Sequence, residues 1–502
     1  MKRKRFLLYL SFPLLALLLY HGVFNAEYAY LDEAQQLWRN QEGSNFTMFF
    51  VQGRPLTGQL LEWLFGSVQD IAGLRMIRIF SLVGWILTGL VLLAFLERWI
   101  RDLLIDQRIL LPAMVLFTAA PATAISIGWA SCAEIFLATL AGLVSGALVF
   151  NSVFQARGKK SLPALILAIA CGVVSLFLYQ NSFGIFLLPF VLLLFAGKSL
   201  PVKKMVTAGI IFYLLVYLVY YISFAALLHH YGVHKATRAA LSTDLPGKLS
   251  FFFSGPAPKA FSLNLLYHTS SIFKQIFAPL MIGLFAVSVY IRYREQGWVK
   301  TTGRLLLFLV LLMLVYLPSM AVAENFSSYR TMLPFSLAAG FVLFIQLSWF
   351  FRQGRFIQVT GLLLTITMAF IGYLNINRHF LHPVREEHLA LKTFLNGSFR
   401  KDTKEVLFIR ADRQVFRRTF GPYPVKDEFG YASTAREWVP DPLVRQLVME
   451  QTGKRATADS LRIRQFASRK DYEKSGLTPG STTLLIDMDS LIIRGVTPAS
   501  GF

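Results

Sequence analysis

Long apolar stretches recur along this chain, separated by short polar intervals. Runs lie near 6–24, 76–96, 109–128, 135–154, 162–178, 183–196, 206–228, 275–291, 305–323, 333–351 and 357–376. Most approach the roughly 20 residues a helix needs to cross a hydrocarbon core of about 30 Å. The runs at 162–178 and 183–196 are short and are joined only by Tyr179-Gln180-Asn181-Ser182. The pattern predicts an all-α polytopic membrane protein with about eleven transmembrane helices over residues 1–376. Beyond 376 the period changes. Val406–Ile409, Leu461–Phe466 and Thr483–Ile486 read as short strands. Asp441–Gln451, closed by Gly453, reads as a helix with a glycine stop. Residues 377–502 are therefore expected to form a small α/β domain.

Between 25 and 75 the chain is too polar to span. Within that interval the apolar residues of Leu56–Phe65 recur at helical spacing around Gln59 and Glu62, which suits a helix lying in the membrane interface. A second long interval covers 229–272.

Composition agrees with the pattern: 55% of the 502 residues are hydrophobic and the mean hydropathy is +0.52. The net charge of +22 would point to nucleic acid in a soluble protein. Here many cations sit in alternate short loops, at Lys2–Arg5, Arg98/Arg101/Arg108, Arg157/Lys159/Lys160, Lys198/Lys203/Lys204, Arg292/Arg294/Lys300/Arg304 and Arg352/Arg355. Positive loops face the cytoplasm and meet anionic lipid. No basic surface interleaved with aromatics calls for nucleic acid. The alternation predicts a cytoplasmic N-terminus. It places 25–75, 129–134, 180–182, 229–272, 324–330 and everything after about Asn377 outside, as in a bacterial inner membrane protein. The basic N-terminus before Phe6–Tyr20 imitates a signal peptide, but Asn25–Ala29 is a poor cleavage site, so an uncleaved first helix is expected. Cys132 and Cys171 form no disulfide framework or metal spacing.

The topology gathers charged residues on the outer face. Asp32 and Glu33 stand beyond the first span, as a helix-start pair favoured by the dipole or as proton-transfer groups. Glu134 is the lone charge between two apolar spans, which is costly unless it is paired or useful. Arg75 and Arg78 sit at the outer end of the second span, where they snorkel to head groups or bind phosphate. Glu324, Tyr329 and Arg330 form a third cluster, in which the opposite charges pair together or Arg330 meets a lipid phosphate. His229, His230 and His234 do not have metal-site spacing. Asn45–Thr47 and Asn325–Ser327 match glycosylation sequons, triplets common by chance. In the tail, Asp427–Gly430 and Asp487–Asp489 read as turn and strand-end residues, or as acceptor or metal ligands. No nucleotide-binding loop or nucleophile elbow is present.

Leu31–Ala34, Arg54–Leu56, Arg75 with Arg78–Ser81, and Ala120-Pro121 followed by Glu134 fall in an order and spacing that resembles the GT-C class of polytopic glycosyltransferases. The likeness is nearest to the protein O-mannosyltransferase and lipid A aminoarabinose transferase branch, and covers about residues 1–200. The chain departs from it in carrying Glu134 where Asp is more usual and Arg54-Pro55 where a Pro-Pro pair is common. The resemblance implies transfer of a sugar, with inversion, from a polyprenyl-phosphate donor to a lipid, glycan or protein acceptor at the outer face. Asp32 or Glu33 would act as base, with Glu134 orienting the acceptor or assisting a metal. Arg330 with Arg75 or Arg78 would hold the phosphate, and Arg54, Glu324 and Tyr329 would complete the binding site. No cofactor is required; a divalent metal is compatible with these residues but is demanded by no spacing. A flippase of lipid-linked sugar expects polar residues through the bilayer depth and repeated halves, neither of which is evident. A surface-polysaccharide polymerase or ligase, favoured by a long outer loop at 229–272, and a silent scaffold for the tail are the other readings.

Overall fold

The computed structural model describes residues 2–41, 47–154, 162–196, 200–236, 240–263, 298–350, 354–421 and 427–495, with scattered positions at 279–290. Of the described residues, 76% are helical. Among the described residues, four helices are long and apolar enough to cross a membrane: Leu74–Leu103, Ala130–Phe154, Val202–His230 and Val359–Ser398. A fifth span arises if Gln107–Ala119 and Pro121–Gly128, bent by 41°, count as one. The bend follows from Ala120-Pro121. Proline lacks an N–H and pushes the residue before it out of the helical region, and Ala120 has ψ 135°.

The expectation of eleven spans is therefore corrected to four or five by length. The other apolar runs form shorter helices, Phe6–Leu19, Leu162–Leu178, Gln180–Leu193, Thr302–Val315 and Leu333–Trp349. Local chemistry interrupts two of them. Residues Gln180–Leu187 wind as a 3-10 helix before Pro189, and Thr302–Val315 ends before Leu317-Pro318 starts a new short helix. The run at 275–291 lies largely outside the described residues.

Apolar side chains on several long helices remain on the surface, including Leu87, Ile211, Leu218, Ile222, Leu363 and Phe370. Such faces suit hydrocarbon contact. Inside the bundle, backbones approach closely where glycine allows it. A Cβ on Gly184 would stand 2.1 Å from the Val315 carbonyl oxygen, and one on Gly146 2.4 Å from that of Phe186.

The last long helix continues through a π-helical stretch, Leu374–Leu381, into Ser398. Its 40 residues extend about 60 Å at 1.5 Å per residue, roughly twice a hydrocarbon core. Its final part, His382–Ser398, buries Val384, Leu391 and Leu395 along one face. Leu391 and Leu395 join an apolar cluster with Val406 and Phe408 of the strand that follows, and the same cluster takes in Leu37, Leu61 and Leu74 from the interval 25–75.

The three segments read as strands are β1 (Glu405–Ile409), β2 (Arg462–Phe466) and β3 (Thr483–Asp487). They form one parallel sheet in the order β2-β1-β3, with Val406 opposite Ile463 and Leu484. Parallel neighbours need crossovers, here supplied by the helices between them. The helix Pro440–Thr452 ends on Gly453 at φ 67°, the left-handed stop that its sequence announced.

Candidate functional site

The acidic pair opens the helix Glu33–Gln41, and its two members have different surroundings. Glu33 is fully buried and paired with Arg78, which is also fully buried. One Glu33 oxygen accepts from Tyr30 N at 2.7 Å and from Arg78, the other from Ala130 N. The Arg78 guanidinium also donates to the carbonyls of Gly128 (3.0 Å), Ala26 (2.8 Å) and Tyr28 (2.8 Å), and lies 3.9 Å over the Tyr28 ring. Burial pushes the Glu33 carboxyl up to about 7, against the pull of Arg78 and the two backbone N–H groups. The node ties the first polar interval to the second span and to the turn before Glu134. Both oxygens of Glu33 and all three guanidinium nitrogens of Arg78 are occupied by protein.

Asp32 is half-buried and accepts from Trp438 Nε1 at 2.8 Å. Trp438 lines a cavity of about 410 Å³ with Gln35, Trp38, Arg39 and Asp441, between the helices Glu33–Gln41 and Pro440–Thr452. Arg75 meets Glu27 at 3.2 Å on the surface. Glu324 is exposed, and its backbone carbonyl accepts from Lys248 Nζ at 3.2 Å.

A second group of charges collects around Glu134. The carboxylate is 1% exposed, and among the described residues its Oε2 has no hydrogen-bond partner. Its Oε1 stands 4.0 Å from an amino nitrogen of Arg54. Arg54 precedes the helix Pro55–Gly66, which starts there because proline fits the first helical position. Its guanidinium bonds Gln52 Oε1 at 2.5 Å and lies over the rings of Phe49 (5.0 Å) and Tyr179 (5.8 Å). The Gln180 amide donates to the Gln52 carbonyl at 3.2 Å and so helps fix this loop. Burial draws the Arg54 guanidinium below its usual value, and Glu134 opposes that.

Arg330 enters from the short 3-10 turn Tyr329–Thr331. Its guanidinium lies 4.8 Å over the Trp129 ring and donates to Cys132 Sγ at 3.5 Å. It does not pair with Glu324 in sequence fashion but with Glu428, whose Oε1 is 2.9 Å from Arg330 Nε. Burial pulls the guanidinium pKa down, but Glu428, Cys132 and Tyr179 together outweigh it and hold the value above the usual one. Tyr329 is buried with its ring 4.9 Å from Phe429.

The fold thus brings Arg54, Glu134 and Arg330 together, holds Glu33 and Arg78 in a separate closed node, and leaves Arg75 and Glu324 at the surface. The side chains of Arg54 and Arg330 keep 18% and 26% of their exposure, against 2% for Glu134. Two partly open cations therefore stand in front of a dry carboxylate with a free oxygen. Guanidinium groups so placed are able to bind an anion, since they match phosphate oxygens in fork geometry. The arrangement also offers a proton acceptor beside them.

Sequence reading missed Cys132, Tyr179 and Gln180 as neighbours of the site. Gln180 and Asn181 carried a signal, being polar residues in a four-residue joint between apolar runs. Among the described residues no group of three or more His, Cys, Asp or Glu is placed to hold a metal ion. Comparison with family models, with curated proteins and with solved structures found no match.

Proposed function

We propose that the protein is an integral membrane glycosyltransferase that moves a sugar from a polyprenyl-phosphate donor to an acceptor at the extracytoplasmic face. The observation that carries this reading is the unbonded Oε2 of buried Glu134 beside Arg54 and Arg330. Glu134 takes the proton of an acceptor hydroxyl as that oxygen bonds the anomeric carbon. The bond from that carbon to the phosphate oxygen breaks, and the lipid phosphate leaves with the electron pair. Arg54 and Arg330 hold the leaving phosphate, whose charge grows in a partly dry site. Attack from the face opposite the leaving group inverts the anomeric centre.

The base role passes to Glu134 because both oxygens of Glu33 are bonded and Asp32 is turned to Trp438. Arg78 leaves the phosphate set for the same reason, its donors being spent on carbonyls and Glu33. The basic loops of the alternate intervals support an outer position for the site. The shorter apolar helices would pack with the four or five long ones in the membrane, and the sheet with its helices would then form a small outer α/β domain. The acceptor is a lipid, glycan or protein hydroxyl, and no metal is needed for the step written above.

The test uses the purified protein in lipid nanodiscs with a panel of polyprenyl-phosphate sugars, following release of the lipid phosphate. Glu134→Gln should lower turnover by about 100-fold or more. Arg330→Gln should weaken donor binding and slow release together. A Glu134→Gln protein that is folded and fully active removes the proposal.

A further inference from the structure

The segment Asp427–Gly430 brings an acid from the C-terminal region to the place where a substrate phosphate would meet Arg330. Glu428 is 7% exposed. Besides the 2.9 Å approach to Arg330 Nε, its Oε2 accepts from the Arg330 backbone N at 3.1 Å. Asp427 accepts from Lys259 Nζ at 2.8 Å and from Glu428 N at 3.0 Å. The segment therefore neutralises both cations it touches. Its seat is built: Tyr30 Oη donates to the Glu428 carbonyl at 2.5 Å, and the Phe429 ring lies 5.3 Å from Phe380. Six residues on, Glu387 accepts from the backbone N of Ser433 and of Thr434, each at 2.8 Å.

Charge counting gives the segment a role. Arg54, Arg330, Glu134 and Glu428 sum to zero when all are ionised. A sugar-phosphate-lipid diester carries one negative charge, so its arrival leaves the group one charge in excess. Net charge in a poorly solvated place is costly. Loss of Glu428 from Arg330 restores the balance, by movement or by proton uptake.

We propose that Glu428 is a resident counter-ion that occupies Arg330 in place of a lipid phosphate and sets the affinity of the site by having to yield it. The proposal rests on the phosphate site read above. Burial, resisted by Arg330 and assisted by Asp427, raises the Glu428 carboxyl to about 7, so proton uptake lies within reach of neutral pH. The charged groups facing it are Arg330 and Asp427, with Lys259 behind Asp427, and the titratable groups around it are Tyr30, Cys132, Tyr179 and Tyr316.

The test measures binding of farnesyl phosphate, and separately of inorganic phosphate, to the full chain in nanodiscs by calorimetry. Glu428→Gln should bind farnesyl phosphate about tenfold or more tighter than the natural protein, because a charge-assisted competitor is removed. Arg330→Gln should bind neither. A gain with inorganic phosphate as large as that with farnesyl phosphate assigns the competition to the phosphate group alone; a gain confined to farnesyl phosphate assigns it to the lipid-borne group, and both keep Glu428 as counter-ion. Binding by the natural protein that Glu428→Gln leaves unchanged or weakens overturns the counter-ion and spares the phosphate site. Absence of binding in both proteins overturns the phosphate site, and the counter-ion with it. Should the variant fold poorly, hydrogen exchange on the natural protein decides. Farnesyl phosphate should speed exchange at the Arg330 amide, which Glu428 now protects, and unchanged or slower exchange rejects displacement.

Discussion

Replacing Arg78 with Met tests whether the acidic pair's buried member is structural. The side chain is fully enclosed and serves four acceptors: the carbonyls of Ala26, Tyr28 and Gly128, and the Glu33 carboxylate. Methionine fills much of the volume but donates nothing. Glu33 is then left as a buried charge with only Tyr30 N and Ala130 N as donors. Breaking one side of a buried pair costs about 3–5 kcal/mol. Each orphaned carbonyl adds up to about 1–3 kcal/mol, an amount that entry of water reduces. The expected loss is thus at least about 3 kcal/mol, or several degrees in the unfolding midpoint. Cys132 provides the readout, since it is 2% exposed and reacts with a fluorogenic thiol dye once the fold opens. A Cys171→Ser background removes the more accessible thiol. The double variant Glu33→Gln/Arg78→Met should lose less than the sum of the single losses, because the two residues share one interaction. An Arg78→Met protein that melts with the natural one refutes the reasoning. So does a Glu33→Gln protein that stays as stable as Glu134→Gln while losing all transfer.

Other outcomes follow from the same geometry. Asp32→Asn keeps an oxygen for Trp438 Nε1 and should retain transfer; a fall to the level of Glu134→Gln would return the base role to Asp32. Gly184→Ala drives a methyl onto the Val315 carbonyl and should cost about 1–3 kcal/mol by thermal unfolding. Gly397→Ala meets open space in a helix and should stabilise by about 0.5–1 kcal/mol in the same assay. Glu387→Gln removes the charge that holds Ser433, Thr434 and the Thr434 hydroxyl, so limited proteolysis between Asp427 and Pro440 should accelerate. The raised carboxyl of Glu428 fixes a pH sign. Above about 7 it is ionised and competes for Arg330; as pH falls through that value it takes a proton and releases the cation. Farnesyl phosphate affinity should rise between pH 8 and pH 6, and Glu428→Gln should flatten that rise.

Much of the framework was legible because its causes are local. A long apolar run becomes a helix whatever its neighbours are, since the backbone must satisfy itself in hydrocarbon. The strands from Glu405 on and the stop at Gly453 follow from short apolar runs bounded by polar residues and from glycine's access to positive φ. Helix lengths were less legible. The runs at 183–196 and 305–323 look continuous as hydropathy, yet proline and 3-10 winding cut them short.

The roles of the charges were not legible at all from spacing. Asp32 and Glu33 are adjacent in sequence, but one meets an indole at the edge of a cavity and the other a buried guanidinium. Arg330 has Glu324 six residues away and pairs instead with Glu428, nearly a hundred residues on. Sequence by itself determined that this is a helical membrane protein with acids and arginines in its polar intervals. Only the tertiary structure decided that Glu134 keeps a free oxygen beside two cations while Glu33 keeps none. A carboxylate's chemistry depends on which donors reach it and how dry it is, and both are set by segments far apart in the chain.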